Sequence, residues 1–351
     1  RGARPYACFD PRLIELQQKF AEELLVKHVN PYTGLSYAED PAVCLIELFN
    51  EDSILQRPNM WVEMIEPYKT DFAGRWNAWL KKRYPTTADL KKAWTNAVGV
   101  CALEADESLE AGKVKLPDME RQELSDVFAG GNAKPLAAAS RRHAGLLFAM
   151  DLQADFHRQM RDFLRARGVK APLAGVVAGD VLPDQAVAAR TLDFTAENFY
   201  WEHPYFEPGR AWLLPEYYQD KHHGLAWGPD TLMNHVSGFR WHGTPLMVRE
   251  WAVCWPNTAR AASLLEMAAY ACLQDWDAIT YFDFLTTGNL ATISTFGVNN
   301  DPARWGVFGL AARMFLRHEV KTAERPVAVA VSEEDLAAYG SYETPIQALG
   351  W

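Results

Sequence analysis

Val43-Cys44-Leu45-Ile46-Glu47-Leu48-Phe49-Asn50-Glu51-Asp52 is a nearly unbroken apolar run with β-branched members that turns polar within a few residues. A strand with one wet face alternates apolar and polar residues. A continuous run reads instead as a strand covered on both faces, the situation in a parallel sheet flanked by helices. A helix precedes it, from residue 11 to about 28. Asp10 can cap this helix, and Pro11 takes the first helical position, where its missing N–H costs nothing. Leu13, Leu16, Phe20 and Leu24 recur on one side of it. Between helix and strand, Asn30-Pro31-Tyr32-Thr33-Gly34 is rich in turn formers.

Outward from this unit the pattern repeats. Further strands are predicted at 173–177, 192–200, 245–249 (ending at Glu250) and 278–284. Helices are predicted at 152–166, capped by Asp151 and stopped by Gly168, at 259–273, opened by Asn257 or Thr258, and from Asp301-Pro302 to about 317. Residues 54–150 read as a long, mainly helical insertion. Within it Phe72, Trp76, Trp79 and Leu80 form one stripe, and Thr87 can cap a second helix. From Val327 the pattern shifts to short strand and turn segments, clearest at 327–331. That marks an accessory β region over 326–351, after a catalytic barrel domain over 1–325. Alternating strands and helices specify an α/β fold with a parallel sheet. No GxGxxG follows any strand, which argues against a doubly wound dinucleotide site. Polar residues at the ends of several strands suit a (β/α)8 TIM barrel, although a closed barrel needs eight strands and only five are found here.

Composition narrows the function. The chain has 351 residues, 49% of them hydrophobic, with 13 Trp, 13 Tyr and 17 Phe. So many rings serve either a large core or a cleft with aromatic walls. A net charge of −10 without a basic stripe excludes nucleic acid as a partner. No apolar run approaches the roughly 18 residues of a membrane span, so no membrane partner is expected. Cys8, Cys44, Cys101, Cys254 and Cys272 are widely spaced and make neither a disulfide framework nor a thiolate metal site. His222, His223, His235 and His242 lack zinc-ligand spacing, and there is no HExxH. No metal and no cofactor is expected.

Glu51 and Glu250 each terminate a convincing strand. Two carboxyl groups roughly 5–5.5 Å apart perform retaining glycoside hydrolysis, one protonating the leaving oxygen and one attacking the anomeric carbon. Glu47 lies on the same side as Glu51, two pleats down, and can add negative charge to it. Arg249 adjoins Glu250, but strand alternation points it to the other face. Asn50 suits a donor to the sugar 2-hydroxyl. Trp251 and Trp255, and likewise Trp201 and Trp227, could stack on a sugar or simply pack. Phe284 and Tyr281 could form part of a floor. Asp283 is the rival carboxylate, while Glu202 and Glu207 read as solvated loop acids.

The segments Asn30-Pro31-Tyr32-Thr33-Gly34, Asp40-Pro41-Ala42-Val43 and Ile46-Glu47-Leu48-Phe49-Asn50-Glu51 resemble the fourth-strand region of clan A glycoside hydrolases. The flavour is that of the cellulase-like and β-galactosidase-like members. Pro245-Leu246-Met247-Val248-Arg249-Glu250-Trp251 is similar to the clan's seventh strand. The resemblance implies Glu51 as acid/base, Glu250 as nucleophile, and one of Tyr200, His203 and Tyr205, with His203 favoured, as the residue that orients Glu250. It implies a retaining β-glycosidase acting on a β-linked oligosaccharide or polysaccharide. If Glu51 ends strand four, strands one to three and the clan's second-strand Arg lie upstream of Arg1. The 54–150 insertion is longer than an ordinary barrel connection. A homo-oligomer is possible on this reading, and a secreted or periplasmic location is favoured over a cytoplasmic one. Two other classes are weighed: a non-catalytic carbohydrate-binding protein on a decayed hydrolase barrel, and an unrelated α/β enzyme such as a metal-dependent hydrolase.

Overall fold

The computed structural model describes residues 6–55, 61, 64–97, 99–117, 133–178, 181–201, 203–204, 206, 208–209, 236–285, 293–333 and 335–336. They fall into two compact units. One draws on Arg1–Cys44, Asp52–Ala171 and Val331–Ser341, the other on Leu45–Glu51, Pro172–Ala330 and Tyr342–Trp351.

The first unit is helical. Helix α1 (Pro11–Glu22) starts as the sequence predicts, with Asp10 accepting from Leu13 N–H at 2.8 Å, and runs on into a π-helical turn, Glu23–Lys27. Its buried residues are Ile14 and, in the turn, Leu25, whereas the expected stripe of Leu16, Phe20 and Leu24 is exposed. Helix α2 (Tyr68–Arg83) buries Phe72, Trp76, Trp79 and Leu80 as predicted. Helix α3 (Thr87–Ala93) is capped by Thr86, not Thr87. Helix α4 spans Ala133–Arg165, far longer than the predicted 152–166. Asp151 is therefore inside a helix; its carboxylate accepts from Trp79 Nε1 and Arg83 instead of capping. Trp76, Trp79 and Phe148 pack at ring-centroid distances of 5.4–5.8 Å, with Trp94 stacked at 6.3 Å on Trp76. These aromatic rings are core. Residues 326–332 carry no strand, contrary to the expected opening of a β region there, and 337–351 lie outside the described residues.

The second unit holds a five-stranded sheet in the order β1-β2-β3-β4-β5: Ile46–Asn50, Leu173–Ala178, Thr195–Tyr200, Leu246–Ala252 and Ala278–Tyr281. All neighbours are parallel. Among the described residues the strands match the sequence reading in place and number and form a parallel sheet of five, which is less than a complete barrel. Helices α5 (Leu182–Thr191) and α6 (Ala262–Gln274) are the crossovers from β2 to β3 and from β4 to β5, and α7 (Pro302–Leu316), which follows β5, packs on α6. A short 3-10 turn capped by Asn257 precedes α6, so this helix opens later than predicted. The same device fixes the N-terminal ends of two strand pairs. Asp193 before β3 accepts from Leu173 N–H at 2.7 Å, and Asp277 before β5 accepts from Leu246 N–H at 2.9 Å.

Two register shifts disturb the ladder. In β1, Glu47 pairs with Ala174 but Asn50 with Val176, so β1 carries one extra residue. In β4, Val248 pairs with Glu197 and Glu250 with Asn198, leaving Arg249 as the extra one. The β4–β5 ladder shows the same shift. Such bulges break side-chain alternation and twist the strand.

Beyond β4 and β5 a buried arginine ties the structure down. Arg304 of α7 is fully buried and donates to the carbonyls of Gly297, Val253 and Thr295 at 2.7–2.9 Å. Asp301, also fully buried, caps α7 through Ala303 N–H and pairs with Arg260 at 2.6 Å.

Candidate active site

Glu51 follows β1 directly and has φ +48, a left-handed conformation that costs a non-glycine residue free energy. Its Oε1 accepts from Asn198 Nδ2 at 2.8 Å, and the same amide lies 3.4 Å from Asn50 Oδ1. Asn198 is 2% exposed and sits on β3, two strands from β1. In the next ladder Asn198 is the register partner of Glu250.

Glu250 lies within β4, which runs two residues further than predicted. Its Oε2 accepts from Tyr200 OH at 2.7 Å, and its Oε1 pairs with Arg249. Arg249 also donates from Nε to Glu47 Oε1 at 2.6 Å. Two sequence expectations are corrected here. The bulge turns Arg249 toward Glu250 instead of away from it. Glu47 is engaged by a guanidinium and is not a bare negative neighbour for Glu51.

These contacts also show that the sheet is curved. On a flat sheet β1 and β4, three spacings apart, would hold parallel side chains about 14 Å from one another. Glu47 and Arg249 meet because the face carrying them is concave, the curvature by which sheets approach barrels.

Burial raises the Tyr200 pKa well above the usual phenol value. The Glu51 charge raises it further, and Arg249 pulls it back. Tyr200 therefore stays a protonated donor to Glu250. Through Asn198 and Tyr200, two residues apart on β3, the same strand contacts both carboxylates. Burial lowers the His203 pKa, with the Glu51 charge opposing, so the ring is neutral at pH 7. Its centroid lies 5.1 Å from that of Tyr200. Tyr200 also packs on Phe296 and Phe282, at 5.2 and 6.0 Å. Asp283 contributes to the same field by raising the Tyr200 pKa.

The aromatic candidates separate. Trp201 and Trp251 are buried, at 4% and 2% exposed, and Trp251 packs edge-on against Tyr281 at 5.1 Å. Trp255 is half-buried. Phe284 is 62% exposed and meets the exposed Trp305 at 6.2 Å. Tyr205, Trp227, Glu202, Glu207, His222, His223 and His235 lie outside the described residues. Among the described residues no group of His, Cys, Asp and Glu is arranged to hold a metal, and none of the five cysteines is joined in a disulfide. No described helix is long and apolar enough to cross a membrane.

Asn198 is the residue that sequence reading missed. The signal was present: an amide inside a strand otherwise buried, two positions before Tyr200, demands a polar partner.

No protein-family model and no curated protein matches the chain. Solved structures do. A β-galactosidase from the psychrophilic Marinomonas ef1 is 17% identical with TM-score 0.55, and one from the Antarctic haloarchaeon Halorubrum lacusprofundi is 18% identical with TM-score 0.55. Each alignment covers 93% of this chain and 44% of the other. An agarase, AgWH50C, is 12% identical with TM-score 0.54, covering 89% and 40%. The chain thus spans less than half the length of these proteins and shares with them a mixed α/β fold built on a parallel sheet. Its structural neighbours are glycoside hydrolases.

Proposed function

We infer that this chain carries the site of a retaining β-glycosidase, with Glu51 as acid/base and Glu250 as nucleophile. The observation that carries the reading is the role of β3 as a bridge. Asn198 bonds Glu51 while pairing in register with Glu250, and Tyr200 bonds Glu250 while feeling the charge of Glu51.

In the first step a Glu250 oxygen bonds to the anomeric carbon as the glycosidic C–O bond breaks, and the departing oxygen takes the Glu51 proton. In the second, Glu51 removes a proton from water, which attacks the same carbon and frees Glu250. The substrate on this reading is a β-linked oligosaccharide or polysaccharide, with galactose-containing saccharides the first choice because the neighbours include β-galactosidases and agarases. The reading carries with it a (β/α)8 barrel in which β1 to β5 are the fourth to eighth strands.

The test is turnover of aryl β-glycosides with good and with poor leaving groups. Glu51→Gln should lower kcat on a poor leaving group about 10²–10⁴-fold, and Glu250→Gln should abolish the covalent adduct, each with folding intact. Wild-type-like rates in either variant would sink the assignment. Saccharide binding without turnover, indifferent to both substitutions, would favour the non-catalytic carbohydrate-binding alternative.

A further inference from the structure

The inference rests on Glu250 being the nucleophile and concerns what holds it. A residue next to a strand nucleophile normally faces away. Here the extra residue in β4 brings Arg249 onto the same face, where its Nη1 reaches Glu250 Oε1. Its Nε is fixed from across the concave face by Glu47 Oε1 at 2.6 Å. These side chains are largely enclosed, at 24%, 18% and 12% exposed for Arg249, Glu47 and Glu250.

We propose that Arg249 is a positioning residue for Glu250, itself oriented by Glu47. The planar guanidinium fork locks the carboxylate rotamer and keeps it ionised, while Tyr200 holds the other oxygen. Each oxygen retains a lone pair, so attack needs no rotation of the nucleophile. Among the described residues the groups bearing on this site are Arg249 from β4, Glu47 and Glu51 from β1 and its end, Tyr200 from β3, His203 after β3, and Asp283 after β5. Arg249 is the cation among them. An opposite charge at such range shifts a carboxylate by about 1–3 pH units.

The experiment compares wild type, Arg249→Gln, Arg249→Lys and Glu47→Gln on two aryl β-galactosides, one with a good and one with a poor leaving group. It adds trapping by a 2-fluoro β-galactoside and a thermal melt for each variant. Arg249→Gln should lower kcat/KM about 10–100-fold for both leaving groups, because attack and not proton donation is impaired. Its acid limb should move up by about one pH unit or more. Arg249→Lys should keep the limb in place and regain part of the rate. Glu47→Gln should lower kcat without raising the limb. An unchanged rate and limb in Arg249→Gln overturns the proposal, as does a lower melting temperature with the limb unmoved. If Arg249→Gln does not fold, an unchanged kcat in Glu47→Gln overturns it. A wild type that neither turns over nor traps the fluorosugar overturns the glycosidase reading, and this proposal falls with it.

Discussion

Glu51 holds an unfavourable backbone conformation in a place where glycine would rest easily. A left-handed non-glycine residue costs of order 1–3 kcal/mol and persists where its side chain has work to do. Glu51→Gly should therefore melt at or above the wild-type temperature while turnover collapses; calorimetry alongside a rate assay checks this. A clear loss of stability would mean that the Asn198 bond outweighs the strain. The places of Glu51, Glu250, Asn50 and Tyr200 at or near strand ends were legible in the sequence because each stands at or near the polar end of an apolar run. The partners of Asn198 and Arg249 were not. A buried amide such as Asn198 announces that it needs a partner, but which residue of a neighbouring strand it or Arg249 meets depends on register, and no local pattern encodes that.

The elements were legible in proportion to how continuous their apolar patterns are. All five strands could be placed because each is a short, nearly continuous apolar run bounded by polar or turn-forming residues. The bulges in β1 and β4 could not, since one extra residue inside a continuous apolar run leaves no mark on it. The faces of α1 were misjudged because apolar residues occur on more than one side. Where β4, β5 and α7 meet, Tyr281 packs between Trp251 and Phe308, at 5.1 and 6.1 Å. Burial pushes its pKa up to about 12, with Arg304 opposing, and its buried hydroxyl makes no hydrogen bond of ordinary geometry. The raised value means that the folded state favours the neutral phenol. That contribution is complete below the unfolded phenol value near 10 and is lost as pH rises toward 12. Tyr281→Phe should change stability little at pH 7 and blunt the loss between about pH 10 and 12, read from urea midpoints. An identical alkaline profile would assign that loss to other groups.

At the scale of the whole molecule, β1 and β5 each pair on one side only among the described residues. Both strands are only partly buried, unlike β3 and β4. Open edges of a parallel sheet invite pairing with another chain. The 351-residue chain should therefore self-associate as its concentration rises, visible by sedimentation velocity, and Thr280→Lys on the exposed part of β5 should weaken that association. A monomer at every concentration would show that these edges are otherwise protected.

The bulge in β4 has a hereditary consequence. Losing one codon between Val248 and Trp251 would restore perfect alternation and so improve the strand as a strand. It would also leave one side chain where two now converge. In a library of single-codon deletions this segment should give folded but inert proteins, a neutral-looking lesion that silences the site without loosening the sheet.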